Sequence, residues 1–206
     1  MTRIILTRHG ETVWNSEKRV QGNLDSPLTE NGIRQTRALA LRLAEERIGH
    51  MYSSSAPRAL STAREMCGVL GLFTIKIEPD LRELSFGEWE GSVWQELREA
   101  QPEVFHVWDT EPHLVTPPGG ENMAQVTERA WNCVQRILPL HPEDTVCVVT
   151  HGLILKMIVA KALGLDVKDW AKTPPQRNTA LNIFEIDGEQ WIPKLLGDCA
   201  HLEGLN

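Results

Sequence analysis

Short apolar runs alternate along this chain with stretches whose apolar residues recur every three or four positions. The runs RIIL (3–6), HMYSS (50–54) and TVCVVT (145–150) predict strands, and a further strand end is expected near residues 76–81. Residues 30–47, 57–70, 92–100, 121–138 and 152–163 read as helices. At the second of these, serines are available as caps and Pro57 suits a first helical turn. Strand, turn and helix in repetition mark an α/β fold with a largely parallel sheet. Near the end, ALNIFEIDGEQWIPKLL gives two runs joined through Asp187 and Gly188, a hairpin signal. One antiparallel edge strand is therefore expected on the sheet. The stretch 101–120, rich in Pro and Gly, fits no regular element and is expected to cross the sheet as a loop.

Composition narrows the class. At 206 residues, one domain (1–206) is expected, carrying a lid-like insertion at about 84–128. No apolar run approaches a membrane span, and the first residues lack a signal-peptide pattern, so a cytoplasmic protein with no membrane partner is expected. Cys67, Cys133, Cys147 and Cys199 form no CxxC pair; buried free thiols are expected rather than a zinc site or disulfides. A net charge of -7 argues against nucleic acid as a partner. The charge is uneven: residues 1–82 hold 12 Lys/Arg against 9 Asp/Glu, and the remainder 9 against 19. An anion site is therefore expected to draw its cations from the first part of the chain.

Two corners carry candidate chemistry. LTRHG (6–10) and VVTHG (148–152) each end an apolar run with a histidine against a glycine. Ligands of open α/β sheets bind outside the carboxyl ends of strands, where helix N-termini also point. His9 and His151 are thus expected on one rim of the sheet. Arg58 falls in the first turn of the helix after the 50–54 strand, so Arg8, Arg58, His9 and His151 would surround one point with positive charge. Guanidinium forks match the oxygens of a phosphoryl group. Two histidines without an acidic or thiol ligand make a poor metal site. A neutral imidazole can instead attack phosphorus, provided one ring nitrogen is free and the other is pinned as N–H by a backbone carbonyl. Glu83, in LRELSFGEWEG, is placed to protonate the leaving group; Glu88 and Glu90 lie close by in sequence.

The blocks TRHGET with a following WN, QG (21–22), DSPLTENG, SSSAPRALSTA, LRELSFGEWEG and VVTHG together resemble the histidine phosphatase superfamily, which includes cofactor-dependent phosphoglycerate mutases and broad-specificity phosphatases. The resemblance implies a three-layer α/β/α sandwich with no metal and no cofactor. It implies His9 as the phosphorylated nucleophile, Glu83 as proton donor, and Arg8, Arg58 and His151 as the phosphate pocket. Asn15, the Gln21–Gly22 pair and the Gly152 backbone would add phosphate contacts. Mutases of the family grip the substrate carboxylate with cations after the catalytic glutamate. Here residues 84–128 hold Arg98 alone against nine acids, which favours a phosphatase over a mutase. An acidic wall would also suit an amine-bearing substrate such as phosphoserine; sugar phosphates, α-ribazole phosphate and aryl phosphates are the other candidates. An inactive phospho-ligand-binding module is expected to lack His9 or Glu83, and both are kept. Trp94 and Trp108 are expected to pack the core or lid rather than line the pocket mouth. His201 is expected either at the pocket rim or on a solvated tail. A homodimer is compatible with all of these features.

Overall fold

In the computed structural model, which describes residues 1–205, six strands form one sheet: β1 (Thr2–Arg8), β2 (His50–Ser54), β3 (Ile75–Glu78), β4 (Thr145–Thr150), β5 (Leu181–Asp187) and β6 (Gln190–Asp198). Their order is β3-β2-β4-β1-β5-β6. Neighbouring pairs among β1 to β4 are parallel, whereas β5 runs antiparallel to both β1 and β6. The antiparallel element is thus the hairpin pair at one edge, with β5 reversed and β6 outermost. The helices are α1 (Val13–Ser16), α2 (Glu30–Arg42), α3 (Pro57–Leu70), α4 (Trp94–Ala100), α5 (Pro102–Thr110), α6 (Met123–Ile137) and α7 (Gly152–Ala162).

The unbroken apolar runs of β1 and β4 follow from burial on both faces. Ile4, Leu6, Val146 and Val148 pack with Met123, Val126 and Ala130 of α6 and with Ile154, Leu155 and Ile158 of α7. The alternate residues Ile5, Cys147 and Val149 pack with Leu39 and Ala40 of α2 and with Ala59, Ala63 and Met66 of α3. A one-residue slip would exchange the two faces, so Ile5 opposite Cys147 is a strongly determined register. Ile5 is fully buried, and truncating it to alanine is expected to cost about 2–5 kcal/mol.

Two sequence expectations need correction. Residues 101–120 are not irregular throughout. Pro102 takes the first helical position of α5, and Phe105 is buried against Trp89, with ring centroids 4.7 Å apart. The Pro and Gly residues that suggested a loop lie mostly in its continuation from Pro112 to Gly120. The helix expected to reach residue 47 ends at Arg42, and turns carry the chain on so that Ile48 enters the core. Cys67, Cys133 and Cys147 are buried free thiols, and Cys199 is half-buried. Among the described residues, no helix is long and apolar enough to cross a membrane.

Candidate active site

β1 and β4 are parallel neighbours in matched register, with Arg8 opposite Thr150, so their two His-Gly corners leave the sheet side by side. His9 N donates to Thr150 O at 2.9 Å, and the two imidazoles lie 5.2 Å apart at 61°. His9 Nδ1 lies 2.8 Å from Gly10 O. A carbonyl can only accept, so Nδ1 carries the proton and Nε2 is left with its lone pair. Burial, reinforced by Arg58 and Arg8, holds the His9 imidazole well below its ordinary pKa of 6.5. The ring is neutral at neutral pH, with its Nε2 lone pair unengaged. His151 is fully buried, its Nε2 is 2.7 Å from Ser54 Oγ, and burial followed by Arg58 depresses its pKa in the same way.

Two buried guanidinium donors, Arg8 Nε and Arg58 Nε, and the buried ring nitrogen His151 Nδ1 have no protein partner here; Nδ1 is a third donor when Ser54 Oγ donates to Nε2. Unpaired buried donors are costly, and an anion satisfies them together. Arg58 is 1% exposed and is held from three sides. Its Nη1 donates to Leu24 O (2.8 Å) and Asp25 Oδ1 (2.9 Å), and its Nη2 to Gly22 O (2.8 Å). Gly22 adopts φ +55°, where a Cβ would lie 2.3 Å from Glu90 Oε1, so glycine is required to present that carbonyl. Arg8 Nη1 donates to Gln176 O at 3.0 Å, and a Cβ on Gly152 would press on the Arg8 guanidinium at 3.3 Å. Gln21 is 7% exposed and faces the same cleft. Asn15 sits on α1, where its Oδ1 accepts from Thr12 N (3.1 Å) and Asn178 Nδ2 (3.0 Å), leaving its amide N–H groups for a ligand.

Glu83 enters the cleft from the segment after β3. Its Oε1 accepts from Leu84 N (3.0 Å) and its Oε2 from Leu153 N (3.3 Å) in the first turn of α7. Arg129 of α6 fastens this segment by donating to Asp80 O (2.7 Å) and Arg82 O (3.0 Å). Glu88 is exposed and outside the cleft, and Glu90 is committed to the backbone N–H groups of Asn23 and Phe86. Glu83 is therefore the one carboxylate that lines the cleft together with His9.

The cleft has a volume of about 310 Å³. Its mouth is formed by Phe86, Trp94, Trp108 and Leu153 together with two cations, Arg19 and Lys156. The two tryptophans belong to an aromatic cluster with Phe86 and Trp89, so they pack the lid and line the mouth at once. None of the nine acids of residues 84–128 lines the cleft. Asp109 pairs with Arg98 and Glu121 with Arg129, and most of the others are exposed. The acidic wall expected from the sequence therefore faces away from the site. Lys156, from the later part of the chain, lines the cleft beside the arginines of the first part. Two larger grooves, of about 520 and 590 Å³, lie beside Trp131, away from both His-Gly corners.

Comparison with known proteins bears on this geometry. The chain matches the histidine phosphatase superfamily (branch 1) over residues 4–199. It belongs to that superfamily. Phosphoglycerate mutase-like protein 4 of Arabidopsis thaliana is 34% identical over 97% of this chain and 86% of its own length. The metal-independent phosphoserine phosphatase of the same plant is 33% identical over 100% and 85%. Among solved structures, Bacillus stearothermophilus YhfR superposes with a TM-score of 0.93 at 37% identity, covering 98% of this chain and all of that one. The chain is thus an enzyme of the histidine phosphatase type.

Several site residues of this histidine phosphatase were not legible in the sequence. Asp25, Arg19 and Lys156 are ordinary surface types whose orientation no motif announces. Asn178 donates to His9 O (3.1 Å) as well as to Asn15, and Thr179 N donates to Arg8 O (3.2 Å). Thr179 holds φ +58°, a strained value for a β-branched residue, and its hydroxyl meets His201 Nε2 at 3.0 Å. His201 is thus neither at the cleft rim nor on a frayed tail; it buttresses the loop behind Arg8. The one signal for this region was Asn182 in an otherwise apolar strand: it is fully buried and paired with Gln176.

Proposed function

We propose that this chain is a metal-independent phosphomonoesterase that hydrolyses small phosphate esters through a phosphohistidine at His9 Nε2. The His9 ring carries the reading: it is pinned at Nδ1 by Gly10 O, kept neutral by burial, and left with Nε2 beside Arg8, Arg58 and His151. In the first step Nε2 attacks phosphorus and the ester P–O bond breaks. The two guanidinium groups and His151 Nδ1–H hold the phosphoryl oxygens, with Asn15, Gln21 and the N–H of Gly152 as further donors. Glu83 gives its proton to the departing oxygen, a contribution of roughly 10²- to 10⁴-fold. In the second step Glu83 takes a proton from water as it attacks the phosphohistidine, which releases phosphate and restores both groups. The insertion at 84–128 serves as a lid over this single catalytic domain.

The mouth of the cleft supports a leaving group that carries a carboxylate. Lys156 Nζ rests 4.0 Å from the Trp170 ring centroid, burial lowers its pKa, and it forms no ion pair among the described residues. With Arg19, whose Nε pairs with Glu17 Oε2 at 3.3 Å, it offers the far end of a substrate one unpaired and one partly neutralised positive charge, and no lid carboxylate. Phosphoserine fits this chemistry, and it is the substrate named for one of the relatives. The same two cations favour a second reading, a phosphoglycerate mutase, because they supply the carboxylate grip that residues 84–128 lack.

A panel of phosphoserine, 3-phosphoglycerate, sugar phosphates, α-ribazole phosphate and p-nitrophenyl phosphate separates these readings, with phosphate release and isomerisation followed in parallel. Hydrolysis with the highest kcat/KM on phosphoserine is expected. Acid-labile phosphate should be trapped on the wild type and be absent from His9→Ala, and EDTA should leave turnover unchanged. An active His9→Ala variant, or EDTA inhibition reversed by a divalent metal, refutes the mechanism. Isomerisation of 3-phosphoglycerate faster than its hydrolysis establishes the second reading.

A further inference from the structure

At the end of the sheet opposite the cleft, His50 opens β2, while His141 and Asp144 lie in the turn that enters β4. His50 and Ser54, the two ends of β2, are separated by about 13 Å at ~3.3 Å per residue, so this cluster is remote from His151 and its Ser54 partner. His50 Nε2 lies 3.0 Å from Asp144 Oδ2. The imidazoles of His50 and His141 stack with centroids 3.6 Å apart at 28°. One ligating atom each from His50, His141 and Asp144 falls within 4.8 Å of the other two, and no other group of three among the described residues does so.

The backbone beneath the cluster is fixed by strand pairing. Arg3 N donates to Asp144 O (3.0 Å), Gly49 N to Thr145 O (3.0 Å), and Thr2 Oγ1 to His141 O (3.2 Å). His141 is 4% exposed, and its Nε2 meets the Tyr52 hydroxyl at 2.7 Å. A hydroxyl or carbonyl on the second ring nitrogen is the arrangement that orients metal-bound histidines. Asp144 and His50, by contrast, have side chains 54% and 31% exposed and are free to adjust. Bonds of 2.0–2.1 Å in a tetrahedral site require donor atoms about 3.3 Å apart, and in-plane lone pairs require His50 to turn out of its stack on His141, with Asp144 following.

The geometry points to a divalent transition-metal site formed by His50, His141 and Asp144, with Tyr52 orienting His141 and water completing the coordination. Two imidazoles and one carboxylate suit Zn²⁺, Co²⁺, Ni²⁺ or Cu²⁺ and supply too few oxygens for Ca²⁺ or Mg²⁺. The ion takes the place of the His50–Asp144 hydrogen bond, any Nε2 proton leaving to solvent, and ties the start of β2 to the entry of β4. Lys76, whose Nζ donates to the Tyr52 hydroxyl at 3.2 Å, sets a positive charge nearby and limits the affinity. The site is a staple for the fold and takes no part in phosphate chemistry.

The test uses the full chain, stripped with EDTA and titrated with Co²⁺ (visible absorption) and Zn²⁺ (calorimetry). One equivalent should bind, with d–d bands of a four- or five-coordinate Co²⁺ centre, and Zn²⁺ should raise the Tm. His50→Gln with Asp144→Asn, changes at a half-buried and an exposed position remote from the cleft, should abolish this equivalent and the Tm shift while leaving p-nitrophenyl phosphate turnover at the wild-type rate. His141→Gln should do the same if it folds, which circular dichroism reports. Absence of stoichiometric binding overturns the proposal. So does an equivalent retained by the double variant, which would put the ion elsewhere, at His9 and His151 for instance.

Discussion

Replacing Glu83 by glutamine changes one atom at the point where, in the proposed mechanism, the leaving oxygen receives its proton. The native carboxylate accepts from two backbone N–H groups, of Leu84 at 3.0 Å and of Leu153 at 3.3 Å. Glutamine keeps one acceptor and turns the other into a donor, so one of those N–H groups loses its partner. The longer bond, to Leu153, is the one expected to break. Loss of one such bond costs about 1 kcal/mol, or about 2–4 °C in Tm for a chain of this size. Water can reach the half-buried position, which keeps the cost near this figure. The catalytic loss is larger: removing the proton forfeits roughly 10²- to 10⁴-fold, or about 3–5 kcal/mol in the barrier. A serine alkoxide needs that proton and p-nitrophenolate does not. The phosphorylation step of Glu83→Gln should therefore fall by about 10²- to 10⁴-fold with phosphoserine and by less than about tenfold with p-nitrophenyl phosphate. Hydrolysis of the phosphoenzyme also loses its base, and that step is common to both substrates. The comparison is therefore made on the first step, by rapid quench of a single turnover. Equal, small losses with both substrates would refute the assignment. Glu88→Gln, at an exposed position outside the cleft, should change neither rate.

Lys156→Met should raise KM for phosphoserine by about tenfold, the equivalent of about 1.4 kcal/mol for one charge-assisted contact, and leave p-nitrophenyl phosphate within twofold. A uniform loss across both substrates would remove Lys156 from the leaving-group side. Folding stability should fall as the pH drops below 6.5, because His9, His141 and His151 all have folded pKa values held below that figure, chiefly by burial. The unfolded chain takes up protons there that the native chain refuses, at a cost of up to about 1.4 kcal/mol per group per pH unit. Urea denaturation in phosphate-free buffer should therefore give a lower unfolding free energy at pH 5.5 than at pH 7.5. A flat or rising stability would mean that the three rings are protonated in the native state.

What was legible in the sequence is local. A strand that ends in Arg-His-Gly or Thr-His-Gly announces its corner by the change from apolar to polar and by the glycine. A helix opened by Pro57 places Arg58 in its first turn. Because parallel strands deliver their carboxyl ends to one rim, these local features suffice to bring His9, His151, Arg8 and Arg58 together, and with them the pocket proposed to hold phosphate. The orientation of the irregular segments is a different matter. Whether the acids of residues 84–128 faced the cleft depended on Trp89 and Phe105 being drawn into the core, which turns Phe86, Trp94 and Trp108 inward and leaves the carboxylates in solvent, paired with Arg98 and Arg129, or, for Glu90, bound to backbone N–H groups. Lys156 looked like one polar position on α7, and its place at the mouth follows from how that helix packs on the sheet. Asp25 beneath Arg58, Asn178 beneath His9 and Thr179 behind Arg8 come from segments distant in sequence that fill the remaining hydrogen bonds of buried groups. Such partners are selected by burial, because a buried charge or amide must be satisfied by whatever the closed fold places within about 3 Å, and no periodicity along the chain encodes that choice.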